Sequence, residues 1–412
     1  MLPLQIVVIG GGAAGFFGAI ACAKVNPDAQ VTLLEASRQP LAKVLISGGG
    51  RCNVTHACFD SEELVQNYPR GAKALRGALT RFGPEDTVAW FAAGGVYLKT
   101  EADGRMFPVT NTSETIVECL IKAVATAGVK LRIGTHVTLV KRTSADGGFD
   151  ILLKSGETIK CDRLLLATGN SPVGYKIVRE LGHQIEPPVP SLFTFNILDQ
   201  KLRELAGVSV NPAQLRLSTG GKSPLQQTGP LLITHWGLSG PAVLKLSAWG
   251  ARVLHESRYQ SRLLINWLPH LQQEQVREKV LAVKDEWGKK AIALHRGVDL
   301  PHRLWQYIIA RAGITTEDRW AEISSKTLNQ LVQELTQGQY LINGKGAFKE
   351  EFVTCGGVNL KEVNFKTMES RLVPGLYFAG EILDIDGVTG GFNFQSAWTT
   401  GYLAGVAMAT SN

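Results

Sequence analysis

Gly10-Gly11-Gly12-Ala13-Ala14-Gly15 spells GxGxxG, and Glu35 stands twenty residues after its last glycine. Residues of these types at this spacing can hold a dinucleotide. Gly10 permits a tight turn, Gly12 lets the backbone approach a pyrophosphate, and Gly15 allows helix and strand to pack closely. The N–H groups and positive end of the following helix meet the phosphate charge. Glu35 can accept hydrogen bonds from both ribose hydroxyls, and its charge repels a 2′-phosphate. The turn alone does not choose between NAD and FAD, because both carry an ADP half. A tight structural turn is the plain alternative.

Two further segments bear on that choice. Lys43 to Thr55 (KVLISGGGRCNVT) is read as a loop with many backbone donors and little bulk, able to lie along a flavin. Near the other end, Gly375 to Glu381 (GLYFAGE) leads to Gly387-Val388-Thr389-Gly390-Gly391-Phe392-Asn393 and the start of a helix. A helix N-terminus aimed at the pyrimidine edge of the isoalloxazine stabilises the negative charge that develops at N1 and O2 on reduction. The sequence contains no second GxGxxG, so NADH or NADPH, if used, binds transiently.

Other chemistry-bearing residues have competing readings. Cys52 and Cys58 are spaced C-x5-C, not the closer spacing of flavin-linked redox pairs, and a small residue beside the cofactor suits Cys52 as well. His235, in Thr234-His235-Trp236-Gly237, could act as an acid or base at the flavin; Ser239 and Pro241 equally suggest that the motif is a structural turn before a helix. Lys345 and Lys349 could meet an anionic substrate or simply face water, and Arg105 is similarly ambiguous. Trp305 and Tyr307 with Arg296, Arg303 and Arg311 could form a nucleic-acid face, but their spacing also fits a half-buried helix with a wet side. No metal-ligating cluster and no Ser/His/Asp arrangement stands out.

These residues require elements to position them. The pattern predicts a strand from Gln5 to Ile9, a helix from Ala13 to Val25 and a strand from Gln30 to Glu35, a βαβ unit. Helices are expected near Pro84 to Ala93 and Thr112 to Ala127, β-rich runs at Lys130 to Arg142 and Phe149 to Lys154, and a strand from Arg163 to Ala167. Antiparallel β texture follows from about Pro190 to Gln260. Helical spacing marks His270 to Gly288, Pro301 to Ala312 and Ser325 to Gln337. The last part predicts a strand from Gly375 to Ala379 and a helix from Asn393 to Ala409.

The fold class expected is α/β, a Rossmann-type domain interrupted by an insertion. Residues 1–190 and 345–412 make the first domain; residues 191–344 make the insert, β-rich over 191–265 and helical over 266–344. A chain of 412 residues exceeds what one core sustains. Its formal net charge of +7 permits an anionic partner without showing one. Six scattered cysteines with no CxxC fit reduced thiols and a cytoplasmic location. The uncharged run Ile6 to Ala23 is too rich in glycine for a membrane span and is read as strand, turn and helix.

The segments SGGGRCNVT (Ser47 to Thr55), GRMFPVT (Gly104 to Thr110), LLLATGN (Leu164 to Asn170), THWGLSGPA (Thr234 to Ala242), TCGGV (Thr354 to Val358) and LYFAGEILDIDGVTGGFNFQSA (Leu376 to Ala397) resemble those of the BaiN/YhiN-like flavoproteins, also called aminoacetone oxidase-like. The resemblance runs nearly the full length. It implies an FAD domain built from both chain ends with an inserted β-barrel and helical region. It places Gly10, Gly12, Ala14 and Gly15 on the pyrophosphate, Glu35 on the adenosine ribose with Lys43 nearby, and Val137 beside the adenine. Ser47, Gly48, Arg51, Cys52 and Asn53 would lie along the ribityl and flavin region, and Thr168 and Gly169 against the ADP moiety. Gly380, Glu381, Gly391, Phe392 and Asn393 would close over the ribityl chain and ring. The chain departs from the family with Asn170 where Gly is frequent and Phe392 where Tyr is frequent.

The resemblance implies hydride transfer through flavin N5. It suggests several substrates: activated carbon–carbon double bonds in small molecules, small amines oxidised with oxygen, or a uridine of ribosomal RNA reduced to dihydrouridine. A non-catalytic flavin-binding protein is a further reading. A small-molecule oxidoreductase is the leading expectation, and the RNA alternative requires Lys and Arg of the insert to converge on one open face.

Overall fold

The computed structural model describes residues 3–143, 147–218, 224–346 and 353–410. The chain divides into two compact units, Met1–Val189 with Phe352–Asn412, and Pro190–Glu351.

The first unit is built on a seven-stranded sheet. At its centre lies β1 (Gln5–Ile9), with Ile6 to Ile9 all buried, as befits a parallel strand covered on both faces. It pairs in parallel with β2 (Gln30–Leu34) on one side, Val8 facing Leu33, and with Arg163–Leu166 on the other, Val8 facing Leu165. Leu376–Phe378 then pairs in parallel with Arg163–Leu166. The sheet therefore seats a strand from near the C-terminus two places from the first strand of the chain.

Between β1 and β2 runs α1 (Ala13–Val25), buried at every position from Ala14 to Ala23. A helix apolar all round must be covered all round. Its cover is the C-terminal helix, Phe392–Thr410, which packs along it. Glycines make that approach possible: a Cβ at Gly405 would stand 2.8 Å from the Cβ of Ala21. This packing explains the uncharged run at Ile6 to Ala23.

Lys130 to Arg142, expected as one β-rich run, is two strands in two sheets. Lys130–Arg132 forms an edge of the large sheet, and Val137–Arg142 joins a separate antiparallel sheet with Phe149–Leu153 and Thr158–Cys161. The chain leaves the first sheet at Gly134 and Thr135, whose N–H groups donate to the Ser37 and Glu35 carbonyls. A third sheet joins Thr55–His56, Arg105–Pro108 and Leu98–Thr100.

The second unit contains a closed barrel of six strands. In order around the barrel they are Phe195–Ile197, Gly237–Ser239, Leu225–Thr234, Ser209–Leu217, Gln260–Asn266 and Gly338–Lys345. Phe195, Leu215, Ile233, Leu263, Ile265 and Ile342 fill its core. The closing strand, Gly338–Lys345, lies in the stretch read as helical. Its alternation of buried Gly338, Tyr340 and Ile342 with exposed Gln339, Leu341 and Asn343 is the strand period, too short to break the helical impression of what precedes it. Conversely, two short helices, Pro241–Trp249 and Ala251–Glu256, interrupt the β-rich stretch. Helices Gln273–Glu286, His302–Arg311 and Ser325–Gln337 complete the unit.

Trp305 and Tyr307 belong to this core rather than to a base-stacking face. Trp305 is fully buried and donates from Nε1 to the Ile292 carbonyl at 2.8 Å. The Tyr307 hydroxyl donates to Asp199 at 2.7 Å, and Arg311 binds Glu334 at 2.7 Å.

Candidate functional site

The turn after β1 is held by contacts that leave no room for a side chain. Gly10 has φ +114°, a region that L side chains rarely adopt, and a Cβ there would come within 2.6 Å of the Ala167 carbonyl carbon. Gly15 abuts the backbone of Gly10. Gly12, at the N-terminus of α1, has ordinary extended φ and ψ, and a Cβ on it would meet nothing within 4 Å. The turn is thus rigid beneath and open above Gly12, the shape a diphosphate needs.

Glu35 follows β2, and its carboxylate accepts from the N–H groups of Gly11 and Ser37, each at 2.7 Å. Its backbone accepts from Thr135, two residues before Val137, which starts its own strand. Beside Gly10 lies Thr168, whose buried Oγ1 has no hydrogen-bond partner among the described residues. That hydroxyl lies against Gly174, and it is the open space above Gly12 at the start of α1 that fits a nucleotide's diphosphate.

The other end of the chain meets this turn directly. A Cβ on Gly380 would lie 2.8 Å from that of Ala14. Next to it, Glu381 accepts from the Lys43 ammonium at 2.5 Å and from the Thr354 N–H at 3.0 Å. Lys43 also donates to Asn170 at 3.3 Å, and Asn170 in turn donates to the Thr354 hydroxyl at 3.0 Å. Burial raises the Glu381 carboxyl above its ordinary range, with Lys43 opposing the shift. Gly169 borders the same carboxylate. Lys43, Asn170, Thr354 and Glu381 form one polar cluster.

Contrary to the loop expectation, the segment Ala42–Gly50 begins as helix and breaks at Ser47, where ψ swings to 153° before Gly48 and Gly49 turn left-handed. The apolar Val44-Leu45-Ile46 carries the helix, and the glycine run that follows had obscured it. Ser47 Oγ donates to the Val44 carbonyl at 2.8 Å. Asn53, with its amide turned to satisfy both ends, accepts from the Gly391 N–H at 2.9 Å and donates to the Thr55 carbonyl at 3.0 Å. Trp398 Nε1 donates to the Val54 carbonyl at 2.9 Å, and Thr55 Oγ1 to the buried Gln395 at 2.6 Å. The glycine loop and the start of the C-terminal helix are therefore one structure. Arg51 points to Glu101 at 2.6 Å and lies over the Phe107 ring.

Sequence reasoning missed the segment that fixes this junction. Asn67 to Gly71 runs beside the turn ahead of the C-terminal helix. Asn67 accepts from the Val388 N–H at 2.8 Å, the Tyr68 hydroxyl donates to the Phe392 carbonyl at 2.7 Å, and Arg70 makes a bidentate ion pair with fully buried Asp386. Asn393 closes the turn by accepting from Gly387 N–H at 2.8 Å and donating to its carbonyl at 2.9 Å. The Phe392 ring stacks on His56, centroids 4.8 Å apart. Only the Tyr-Pro-Arg-Gly composition of residues 68–71 hinted at an ordered turn.

Cys52 is buried, and burial pushes its thiol up to about 12. Cys58 is raised by burial first and then by Glu63 and Asp60. Neither offers a thiolate at neutral pH. In the second unit, His235 is exposed on the tight turn between Leu225–Thr234 and Gly237–Ser239, with exposed Trp236 beside it. Pro241 takes the first position of the next helix, after Gly240. The motif is a hairpin turn followed by a helix start. His235→Ala is expected to retain bound flavin at parental stoichiometry, read from the absorbance ratio of the purified protein. Lys345 has its ammonium over the Tyr259 ring, and Lys349 lies outside the described residues.

A family model described as HI0933-like protein Rossmann domain matches residues 4–407. The chain belongs to the HI0933-like Rossmann family. Three relatives align with it over nearly the whole of both chains. A ribosomal RNA dihydrouridine synthase of Haemophilus influenzae is 32% identical over 98% of both chains. A second ribosomal RNA dihydrouridine synthase, from Escherichia coli, is 31% identical over 98% of this chain and 97% of its own. A 3-dehydro-bile acid delta(4,6)-reductase of Clostridium scindens is 30% identical over 98% of this chain and 99% of its own. Among solved structures, 3-ketosteroid-delta4-(5alpha)-dehydrogenase from Rhodococcus jostii RHA1 superposes with a TM-score of 0.51 at 14% identity, covering 100% of this chain and 98% of that one. That likeness concerns the fold. This HI0933-like protein is an FAD-dependent oxidoreductase with a Rossmann-type domain and a closed β-barrel. Among its described residues no helix is long and apolar enough to cross a membrane.

Proposed function

We propose that the protein reduces a carbon–carbon double bond conjugated to a carbonyl, by hydride transfer through flavin N5, with NADH or NADPH as the reductant. When bound, FAD supplies a two-electron carrier whose N5 accepts and donates hydride. The observation that carries the reading is the junction of the Asn53 loop with Gly391 at the start of the C-terminal helix. A helix N-terminus held there favours negative charge on the reduced ring. Gly10, Gly12, Ala14 and Gly15 are assigned to the pyrophosphate, Glu35 to the ribose and Val137 to the adenine edge. Thr168, Gly169, Lys43, Gly380 and Glu381 are assigned to the diphosphate and ribityl stretch. Ser47, Gly48, Arg51, Cys52, Asn53, Gly391, Phe392 and Asn393 are assigned to the flavin end. Burial raises both the Cys52 and the Cys58 thiol, which weighs against a dithiol relay; the nicotinamide reductant is part of the proposal itself.

The names of the relatives support the bond type. A 3-dehydro delta(4,6) bile acid carries double bonds in conjugation with its ketone, and the uracil C5–C6 double bond saturated in dihydrouridine is conjugated with the C4 carbonyl. Hydride goes to the carbon β to the carbonyl and a proton to the α carbon. A uridine of ribosomal RNA is the second reading of the substrate, favoured by the two dihydrouridine synthases and by the +7 charge. The test is anaerobic bleaching of the flavin by NADPH or NADH, followed by mixing with a steroid 4-en-3-one, with ribosomal RNA, or with oxygen. Colour returning with an enone or with RNA supports the proposal. Return with oxygen alone, together with bleaching by a small amine, overturns it.

A further inference from the structure

The four longest barrel strands, Ser209–Leu217, Leu225–Thr234, Gln260–Asn266 and Gly338–Lys345, contain no Asp or Glu. Strands disfavour acidic residues in general, so the contrast within the protein matters. In the Val137–Arg142 sheet, Asp150 lies between Lys141 and Lys160 and the charges are matched across the strands. On the barrel they are not. Arg216 sits opposite Gln226 on one side and Leu264 on the other, and Arg262 opposite Leu341. Neither guanidinium has an acidic partner among the described residues. Both are exposed, and both line one groove with Ser218, Pro224, Leu264 and Gln339.

The geometry of the strands fixes their relation. Arg262 lies two residues from the partner of Arg216, so the two are diagonal neighbours, about 7–8 Å apart at the backbone. Amides from Gln226 and Gln339 flank them, and Leu341, 67% exposed, adds an apolar spot. Unpaired guanidiniums, hydrogen-bonding amides and an absence of carboxylates suit a flexible polyanion with hydrogen-bonding groups.

We infer that the outer face of this barrel, centred on Arg216 and Arg262, docks single-stranded or looped RNA through its phosphates. The inference rests on the uridine-in-RNA reading above and adds the surface that holds the strand. With no aromatic platform among these residues, the contact is to backbone charge and carries little sequence preference.

The test measures binding of a fluorescent oligouridylate strand to the flavin-loaded enzyme across a salt series. Each phosphate neutralised on a single strand contributes about 0.7 to the slope of log affinity against log salt, so the double variant Arg216→Ala, Arg262→Ala is expected to lower that slope by about 1.4 and weaken binding about tenfold or more at low salt. Its flavin bleaching by NADPH and recovery with a steroid enone are expected to match the parent. An unchanged slope overturns the inference. So does a parent enzyme that ignores the oligouridylate, or that binds phosphatidylglycerol vesicles instead. Failure of enones and RNA to restore colour would sink the enone reading while leaving the slope measurement intact, so the two failures are separable.

Discussion

Gly12→Val is expected to give a folded, colourless protein. In most nucleotide turns a valine for glycine is ambiguous, because it breaks the turn as well as the site. Here the positions separate. Gly10 and Gly15 are hemmed in by backbone, so any side chain there disturbs the fold. Gly12 has an extended backbone that any residue can adopt, and its missing Cβ points into open space. Valine therefore costs the protein little and fills the slot assigned to the pyrophosphate. The expected loss of flavin affinity is about a hundredfold or more, equivalent to about 2.8 kcal/mol. Titration of the apoprotein with FAD, alongside its thermal unfolding, checks both halves. Parental flavin content in a stable variant would remove the phosphate from Gly12.

Arg70→Met is the second large effect. The guanidinium grips Asp386 through two nitrogens, and the carboxylate has no exposure to water. Removing one partner of a buried pair strands the other, at a cost of about 3–5 kcal/mol. Asp386 heads the turn that carries Gly390 and Gly391, so the loss falls on the segment assigned to the flavin. Calorimetry of the flavin-loaded protein should show a lower unfolding temperature for Arg70→Met. Arg70→Lys, which keeps the charge but not the fork, should fall between. Equal transitions for all three would mean that the ion pair does not hold the turn.

Much of the architecture was legible because it is local or periodic. The first strand and helix follow from an apolar run, a glycine turn and a distal acid, and their observed limits are Gln5–Ile9 and Ala13–Val25. The C-terminal helix was legible for the same reason. The Ala42 helix was not, since three successive glycines at its end read as loop. The closing barrel strand was hidden by the helices before it. Tyr68 and Arg70 left no trace in the pattern because their partners, Phe392 and Asp386, lie more than three hundred residues away. Such pairings are visible only once the sheet has brought the ends together. Trp305 and Tyr307 show the converse: helical spacing fitted both a base-stacking face and a core, and only burial chose the core.

The packing of the C-terminal helix against α1 sets an order on biosynthesis. A domain folds as its residues emerge from the ribosome, N-terminal parts first. For this protein the whole of the barrel unit, Pro190–Glu351, is synthesised before the helix that covers α1. Until Phe392–Thr410 has been translated, α1, apolar on every side, stands without the partner that shields it from water.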